Sequence, residues 1–290
     1  MNIRKLGRTG LDVSQIGLGC APFGSVNLAN EWDPFSAGGR KTVVETINRA
    51  LDLGVNYIDT APRYGAGNSE SLVGEVMKDR RDECVLATKV WFELDEQGVI
   101  DSVHESMKRL QTDYIDVVQV HGRMYTDSEY KHIVHGGPLD GLRRLREEGK
   151  IGFIGVTAEE SWTVIPFLGL EDFSVFQIAY NFIYQSAARH FLISAAEAQA
   201  GVVSMRTMTS GILQREAEYI APEWQAARDL YEVSLRFVLA DSRVHSALIG
   251  MRWADEVEHN VKLAENWVPP IDFAALPRLT VDIYKAQDFE

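Results

Sequence analysis

With 290 residues, 46% hydrophobic and 24% charged, the chain has the make-up of an ordinary globular protein and a length near the upper limit for one hydrophobic core. Its net charge of −13 argues against nucleic acid or an anionic membrane surface as partner, since both need a basic face. The two cysteines, Cys20 and Cys84, build no disulfide framework and no metal site, and no stretch resembles a signal peptide or membrane span, so a cytoplasmic location is expected.

Taken in order, Arg4–Ser14 places apolar residues on either side of Gly-containing turn residues and predicts a small hairpin. Ile16-Gly-Leu-Gly19-Cys20 reads as a short strand, followed by a polar loop from about Ser25 to Gly39. Thr42 and Glu45 make a capping-box pair ahead of a helix that aligns Val44, Ile47 and Leu51, with Gly54 placed to close it. The pattern then repeats. Strand Val55–Ile58 precedes a helix near Ser69–Met77, and strand Cys84–Lys89 precedes one carrying Ile100, Val103, Met107 and Leu110. Strand Tyr114–Val120 leads through a long loop to the helix Leu139–Glu148, and strand Ile151–Val156 to a helix whose first turn is the capping box Thr157–Glu160. Val175–Ala179 and Gly201–Met205 are strands followed by helical sequence, and Ser246–Gly250 is the last strand, before the helix Asp255–Ala264. Trp267–Glu290, with Pro269-Pro270, reads as a tail that packs across the barrel or makes a subunit contact, leaving a homo-oligomer open.

Counting Ile16–Gly19, eight short apolar strands alternate with helices without a break in composition. That predicts an α/β protein with one domain over residues 1–290: a closed (β/α)8 TIM barrel with an N-terminal β-hairpin. A doubly wound sheet is the alternative, but no Gly-rich dinucleotide fingerprint follows an early strand.

In such a barrel all strand C-termini meet on one face. Asp59 ends the second strand with Tyr64 just beyond it, Lys89 ends the third and His121 the fourth, so four side chains are expected on one wall of the mouth. Each alone has a bland alternative in packing or solvation. Lys89 is the hardest to dismiss, because a buried ammonium needs a counter-charge and Asp59 offers one. The chemistry they suit is proton transfer to a carbonyl oxygen: a phenol with an ordinary pKa of ~10 is a poor acid until a neighbouring ammonium stabilises the phenolate. No nucleophile–base pair and no metal-ligand cluster accompanies them. A proton donor with no hydride source in the protein implies a reduced cofactor, most simply a nicotinamide.

The stretch Asp59-Thr-Ala-Pro-Arg-Tyr64-Gly-Ala-Gly-Asn-Ser69-Glu70 resembles the signature of the aldo-keto reductase superfamily, as do Leu6-Gly-Arg-Thr-Gly10-Leu, Ile16-Gly-Leu-Gly19 and Gly149-Lys-Ile-Gly-Phe-Ile-Gly155-Val. The resemblance implies a (β/α)8 barrel and reversible NADP(H)-linked carbonyl reduction. It implies Tyr64 as acid/base, Lys89 and Asp59 as the groups tuning it, and His121 orienting a small carbonyl or alcohol substrate.

The cofactor positions match the family pattern less closely. Where relatives end the fifth strand in Ser-Asn, to hold the nicotinamide amide, this chain has Thr157-Ala158, keeping a hydroxyl and losing the amide. Gln177 matches a glutamine that contacts the same group. Relatives often carry an aromatic on the seventh strand that stacks on the nicotinamide. Here Met205-Arg206-Thr207 stands there, so stacking falls to Met205 or to the Arg206 guanidinium, which could instead pair with the pyrophosphate. Gly250, Met251, Arg252, Glu256 and Asn260 resemble the adenosine-phosphate segment, with Asn260 at the adenine-binding position. Glu256 stands where some relatives place an Arg for the 2′-phosphate; Arg252 is the substitute, and NAD(H) is the alternative to NADP(H).

For the substrate, Phe23, Trp91 and Phe92 follow strand ends and are expected to form an apolar or sugar-stacking wall, with Arg123 on the loop after His121. Tyr125, His132 and His135 share that loop. Two other functions use the same residues: a dehydrogenase acting oxidatively on a sugar or cyclic alcohol, and a cofactor-sensing binding subunit with little turnover.

Overall fold

Eight parallel strands close on themselves in the computed structural model, which describes residues 1–223, 229–265 and 267–276. In chain order they are β3 (Ile16–Gly19), β4 (Tyr57–Asp59), β5 (Val85–Trp91), β6 (Ile115–His121), β7 (Ile151–Ala158), β8 (Phe173–Ala179), β9 (Gly201–Met205) and β10 (Ser246–Gly250). The last pairs back onto the first, Ala247 opposite Ile16 and Gly250 opposite Gly19. Ahead of them β1 (Ile3–Lys5) and β2 (Asp12–Ser14) form the expected antiparallel hairpin.

Around the strands lie α1 (Ala37–Asp52), α2 (Asn68–Arg80), α3 (Glu96–Leu110), α4 (Asp127–His135), α5 (Pro138–Glu147), α6 (Phe191–Glu197), α7 (Ile212–Ile220), α8 (Leu230–Leu239) and α9 (Ala254–Ala264). Because strand side chains alternate, each strand serves two cores. One face joins the helices in a large outer cluster. The other fills the barrel with Tyr57, Val85, Ala87, Val117, Val175, Val203 and Leu248, and the hairpin residues Leu6 and Val13 pack onto the same cluster. Two residues further along the same faces the lining turns polar: Tyr57 is followed by Asp59, Ala87 by Lys89, Val117 by Gln119 and Val175 by Gln177. The barrel is therefore apolar below and carries a polar layer beneath its mouth.

Three local expectations are corrected. Helix α1 starts at Ala37, where Ser36 accepts a hydrogen bond from the Gly39 amide at 3.0 Å; Thr42 lies inside the helix and donates back to the Gly38 carbonyl. Ser36 is an equally good cap placed earlier, and the helix takes it. The long loop after β6 contains α4, opened by a capping box of Thr126 and Glu129. Thr157–Glu160 is no capping box: β7 runs on through Ala158, and the Thr157 hydroxyl donates to the Gly122 carbonyl and accepts from the Gly122 amide on the neighbouring strand's exit. A 3-10 stretch, Ser161–Gly169, follows in place of an α-helix. As expected, Gly54 closes α1 with φ +79.

Of the expected tail Trp267–Glu290, the part through Leu276 lies beside α8: the Phe273 amide donates to the Ala240 carbonyl at 2.9 Å and its ring sits 5.2 Å from that of Phe237. The remainder lies outside the described residues. No helix among the described residues is long and apolar enough to cross a membrane.

Candidate active site

The strand register brings Asp59, Lys89 and Gln119 together at the top of β4, β5 and β6, with Lys89 directly opposite Gln119. The Lys89 ammonium donates to both Asp59 oxygens, at 2.8 and 2.7 Å, and to the Thr60 carbonyl at 2.8 Å, so all three of its protons are used. Both side chains are almost fully buried, at 1% and 3% exposure. Asp59 also accepts from the Gln119 and Gln177 amides, at 3.1 and 3.4 Å. Burial pushes the Asp59 carboxyl upward against the opposing charge of Lys89. Burial alone would lower Lys89, but Asp59 and Tyr64 together outweigh it and the ammonium is held above its ordinary value. Four donors converging on one carboxylate favour its ionised form, and the pair is read as an ion pair.

Lys89 Nζ lies 4.9 Å from the centroid of the Tyr64 ring, and His121 meets that ring edge-on at 6.0 Å. Burial raises the Tyr64 phenol, and the Lys89 charge offsets only part of that. The expectation that the ammonium would bring it below its ordinary value is thus reversed by desolvation, and the phenol stays protonated at neutral pH. His121 is pushed down to about 3 by burial and by the charges of Lys89, Arg63 and Arg123. It is a neutral imidazole under ordinary conditions. Together these groups can exchange a proton with an oxygen in the cleft while an uncharged ring hydrogen-bonds the same atom.

The loop that carries Tyr64 is pinned on several sides. Asn68 Nδ2 donates to the Phe23 carbonyl, Ser69 Oγ to the Cys20 carbonyl, and Glu70 accepts from Thr88 at 2.6 Å and from Arg109 at 2.7 Å. The Asn-Ser-Glu end of the motif thus ties α2 to β3, β5 and α3. Gly24 presses on the backbone of Tyr64 so closely that a Cβ there would lie 2.2 Å from the Tyr64 carbonyl carbon.

A cleft of about 1540 Å³ runs from these residues across the barrel mouth to α9. It exceeds the usual volume of a single small-molecule pocket, with room for a dinucleotide and a substrate. Thr157, Gln177, Met205, Arg206, Thr207, Gly250, Arg252, Glu256 and Asn260 all line it, as do Trp91 and Arg123. Asn260 is nearly buried and its Oδ1 lacks a partner, while its Nδ2 donates to the Glu256 carbonyl. An unsatisfied buried acceptor on the cleft wall suits a donor on a bound ligand, such as an exocyclic amine. Arg252 Nε is likewise buried and unpartnered. The donor set therefore fits a nucleotide. Arg206 has φ +60, and its guanidinium meets Glu159 at 2.7 Å. Glu256 accepts from the Arg252 amide, and Thr207 is buried with its hydroxyl on Ser204.

Three expected residues do not reach the cleft. Phe23 is fully buried beside Trp32, because the chain after β3 turns its ring into the outer core. Met251 is buried, one residue beyond the exposed Gly250. Phe92 packs sideways between Trp91 and Tyr125. Tyr125 is buried, its hydroxyl donating to backbone carbonyls of β6 and β7. Two residues on the cleft or beneath it were not singled out from the sequence. Gln119 carried a legible signal, an amide inside an apolar strand two residues before His121. Arg63 carried only its place beside Tyr64; its guanidinium carbon lies 3.9 Å above the Trp91 ring.

Comparison with known proteins gives a match to the model of the Aldo/keto reductase family over residues 21–279. The chain is 28% identical to L-galactose dehydrogenase from Arabidopsis thaliana, covering 90% of this chain and 87% of that protein. It is 29% identical to pyridoxal 4-dehydrogenase from Microbacterium luteolum, covering 92% and 94%. Among solved structures, an aldo-keto reductase from Bacillus halodurans in its holo form superposes with a TM-score of 0.77 at 24% identity, over 97% of this chain and 96% of that one. An aldo/keto reductase from Klebsiella pneumoniae in complex with NADP and acetate gives 0.74 at 21% identity, over 96% and 94%.

Proposed function

This chain belongs to the aldo/keto reductase family, and from that premise we propose that it is an oxidoreductase reducing an aldehyde, ketone or sugar carbonyl to the alcohol, reversibly, with NADP(H). The observation that carries the reading is the buried Lys89 ammonium, spent on Asp59 and Thr60 and set against the Tyr64 ring. A desolvated ion pair has little value for stability alone, so its place against the Tyr64 phenol in the cleft argues for function.

The cofactor is assigned along the cleft: Asn260 toward adenine, Arg252 and Arg206 toward phosphate oxygens, Gln177 and Thr157 toward the nicotinamide amide, Met205 against its ring. When bound, a reduced nicotinamide supplies the hydride. Tyr64 donates its proton to the oxygen as negative charge develops there, and Lys89 stabilises the phenolate left behind. Asp59 keeps Lys89 in place, and Gln119 and Gln177 hold Asp59. Neutral His121 fixes the direction of the carbonyl oxygen without competing as an acid. The raised phenol favours the reductive direction, which starts from the protonated form; oxidation starts from the phenolate and gains as pH rises.

The test is loss of reduced-cofactor absorbance with NADPH and with NADH against a panel of aldehydes, ketones and sugars, for the wild type and Tyr64→Phe. Turnover that Tyr64→Phe abolishes is expected; a variant with full rate would remove Tyr64 from the chemistry.

A further inference from the structure

Three guanidiniums of the cleft have no role above; Arg215 bonds the Gly211 carbonyl, which leaves Arg63 and Arg123 without a side-chain hydrogen bond among the described residues. Arg63 precedes Tyr64, and Arg123 follows His121 by two residues; both are exposed and both line the cleft. Neither side chain has a carboxylate partner among the described residues. Several other arginines of this chain do, among them Arg109 with Glu70, Arg206 with Glu159 and Arg243 with Asp241. The acidic groups beside Arg63 and Arg123 are engaged elsewhere: Glu93 accepts from the Trp91 indole, and Glu159 holds Arg206. Arg63 and Arg123 both help lower the His121 pKa, so both guanidiniums lie near that ring.

We propose that Arg63 and Arg123 bind an anionic group, a carboxylate or phosphate, carried on the same small molecule as the reactive carbonyl. The proposal rests on the carbonyl-reductase reading of the site and narrows its substrate class. Arg63 lies with its guanidinium carbon 3.9 Å over the Trp91 ring, an arrangement that limits its rotamers and leaves N–H groups for a bidentate oxyanion. Lys89 cannot serve, since its three donors are committed. Neutral His121 does not compete for the anion. Binding at a group remote from the carbonyl holds the substrate in register with Tyr64 and His121. Two guanidiniums without a carboxylate partner at the mouth of an acidic protein also draw such molecules there rather than to the general surface.

The experiment compares matched substrates with and without the charge: 4-carboxybenzaldehyde against 4-carbamoylbenzaldehyde, and glyceraldehyde 3-phosphate against glyceraldehyde. The two pairs separate carboxylate from phosphate. The wild type is expected to favour the anion by roughly 10-fold or more in kcat/KM, chiefly through KM, the scale of a charge-assisted hydrogen bond. That preference should shrink as salt is added. Arg63→Gln and Arg123→Gln should each bring the anion-to-neutral ratio toward unity, and Arg63→Lys should keep part of it. A wild type that favours the neutral member of both pairs, or a ratio that neither Gln variant moves, overturns the anion site and leaves carbonyl reduction standing. If the wild type turns over no carbonyl with either cofactor, the reductase reading fails. Calorimetric titration with 4-carboxybenzaldehyde and its amide, cofactor present, then decides the anion site alone. Binding selective for the carboxylate and lost in Arg63→Gln supports it; equal binding of both compounds refutes it.

Discussion

Removing the ammonium from Lys89 while keeping its stem, as in Lys89→Met, leaves the Asp59 carboxylate buried with only the Gln119 and Gln177 amides as donors. Three contacts of 2.7–2.8 Å disappear at once, two from the carboxylate and one from the Thr60 carbonyl. Breaking a buried pair by deleting one partner typically costs about 3–5 kcal/mol, because the survivor remains desolvated. Taking both charges away, in Asp59→Asn/Lys89→Met, removes the cause and should cost less than about 2 kcal/mol. Asp59→Asn alone deletes the other partner and should cost a similar about 3–5 kcal/mol, so the coupling in a double-mutant cycle should exceed about 4 kcal/mol, read from urea unfolding midpoints at unchanged slope.

The pH dependence gives a second readout. Burial raises the Asp59 carboxyl, and Lys89 is its strongest opponent, so Lys89→Met raises it further. A carboxyl whose folded pKa lies above its unfolded value favours folding most in its protonated form, and that advantage is lost as pH rises through the folded pKa. The deficit of Lys89→Met relative to wild type should then be smaller near about pH 5 than near about pH 8. A double variant that loses the sum of the two singles, or a deficit independent of pH, would mean that an uncompensated buried charge is not what Lys89 prevents.

Tyr64→Phe keeps the ring and should leave the unfolding midpoint close to wild type, while kcat drops by roughly 10²–10⁴, the usual value of a positioned acid; loss in KM alone would make Tyr64 a binding residue. His121, held near a pKa of about 3, should add no inflection to the kcat/KM profile between about pH 5 and 8, so a limb in that window that disappears in His121→Asn would contradict its neutral assignment. Gly24→Ala places a Cβ against the Tyr64 backbone and should cut kcat more than it changes cofactor binding, measured by fluorescence titration; unchanged kcat would show that the loop gives way freely. Glu256→Gln removes a negative charge from the cleft wall and keeps an acceptor for the Arg252 amide. It should shift binding toward NADPH over NADH by roughly 5-fold, the scale of one contact charge in water-like surroundings, and no shift would place the 2′-phosphate elsewhere.

The barrel was legible because alternation of strand and helix is a local signal repeated many times, and errors at single boundaries do not disturb it. Thr157–Glu160 shows the limit. Its residues satisfy a capping box on paper, but the Thr157 hydroxyl finds the Gly122 backbone on the next strand, a contact with no trace in local sequence. The same competition hid α4, whose true cap, Thr126 with Glu129, lay in a stretch read as loop. Asp59, Tyr64, Lys89 and His121 could be gathered in advance because each sits at or just past a strand end, and closure of the barrel puts strand ends together whatever the details.

Substrate and cofactor contacts depend instead on which way a side chain turns after the strand has ended, and no periodicity governs that. Phe23 turns inward and Trp91 outward, though each was placed on the wall by the same reasoning. Arg63 was passed over because a lone Arg in a loop is ordinarily a solvated charge. Its significance appears only once the Trp91 ring beneath it and the absence of a carboxylate partner among the described residues are both known. At this mouth the informative quantity is charge left unpaired: Lys89 is fully spent within the protein, whereas Arg63 and Arg123 are not. On the proposed reading, the first arrangement serves the proton transfer that carbonyl substrates share, and the second would select which of them reaches it.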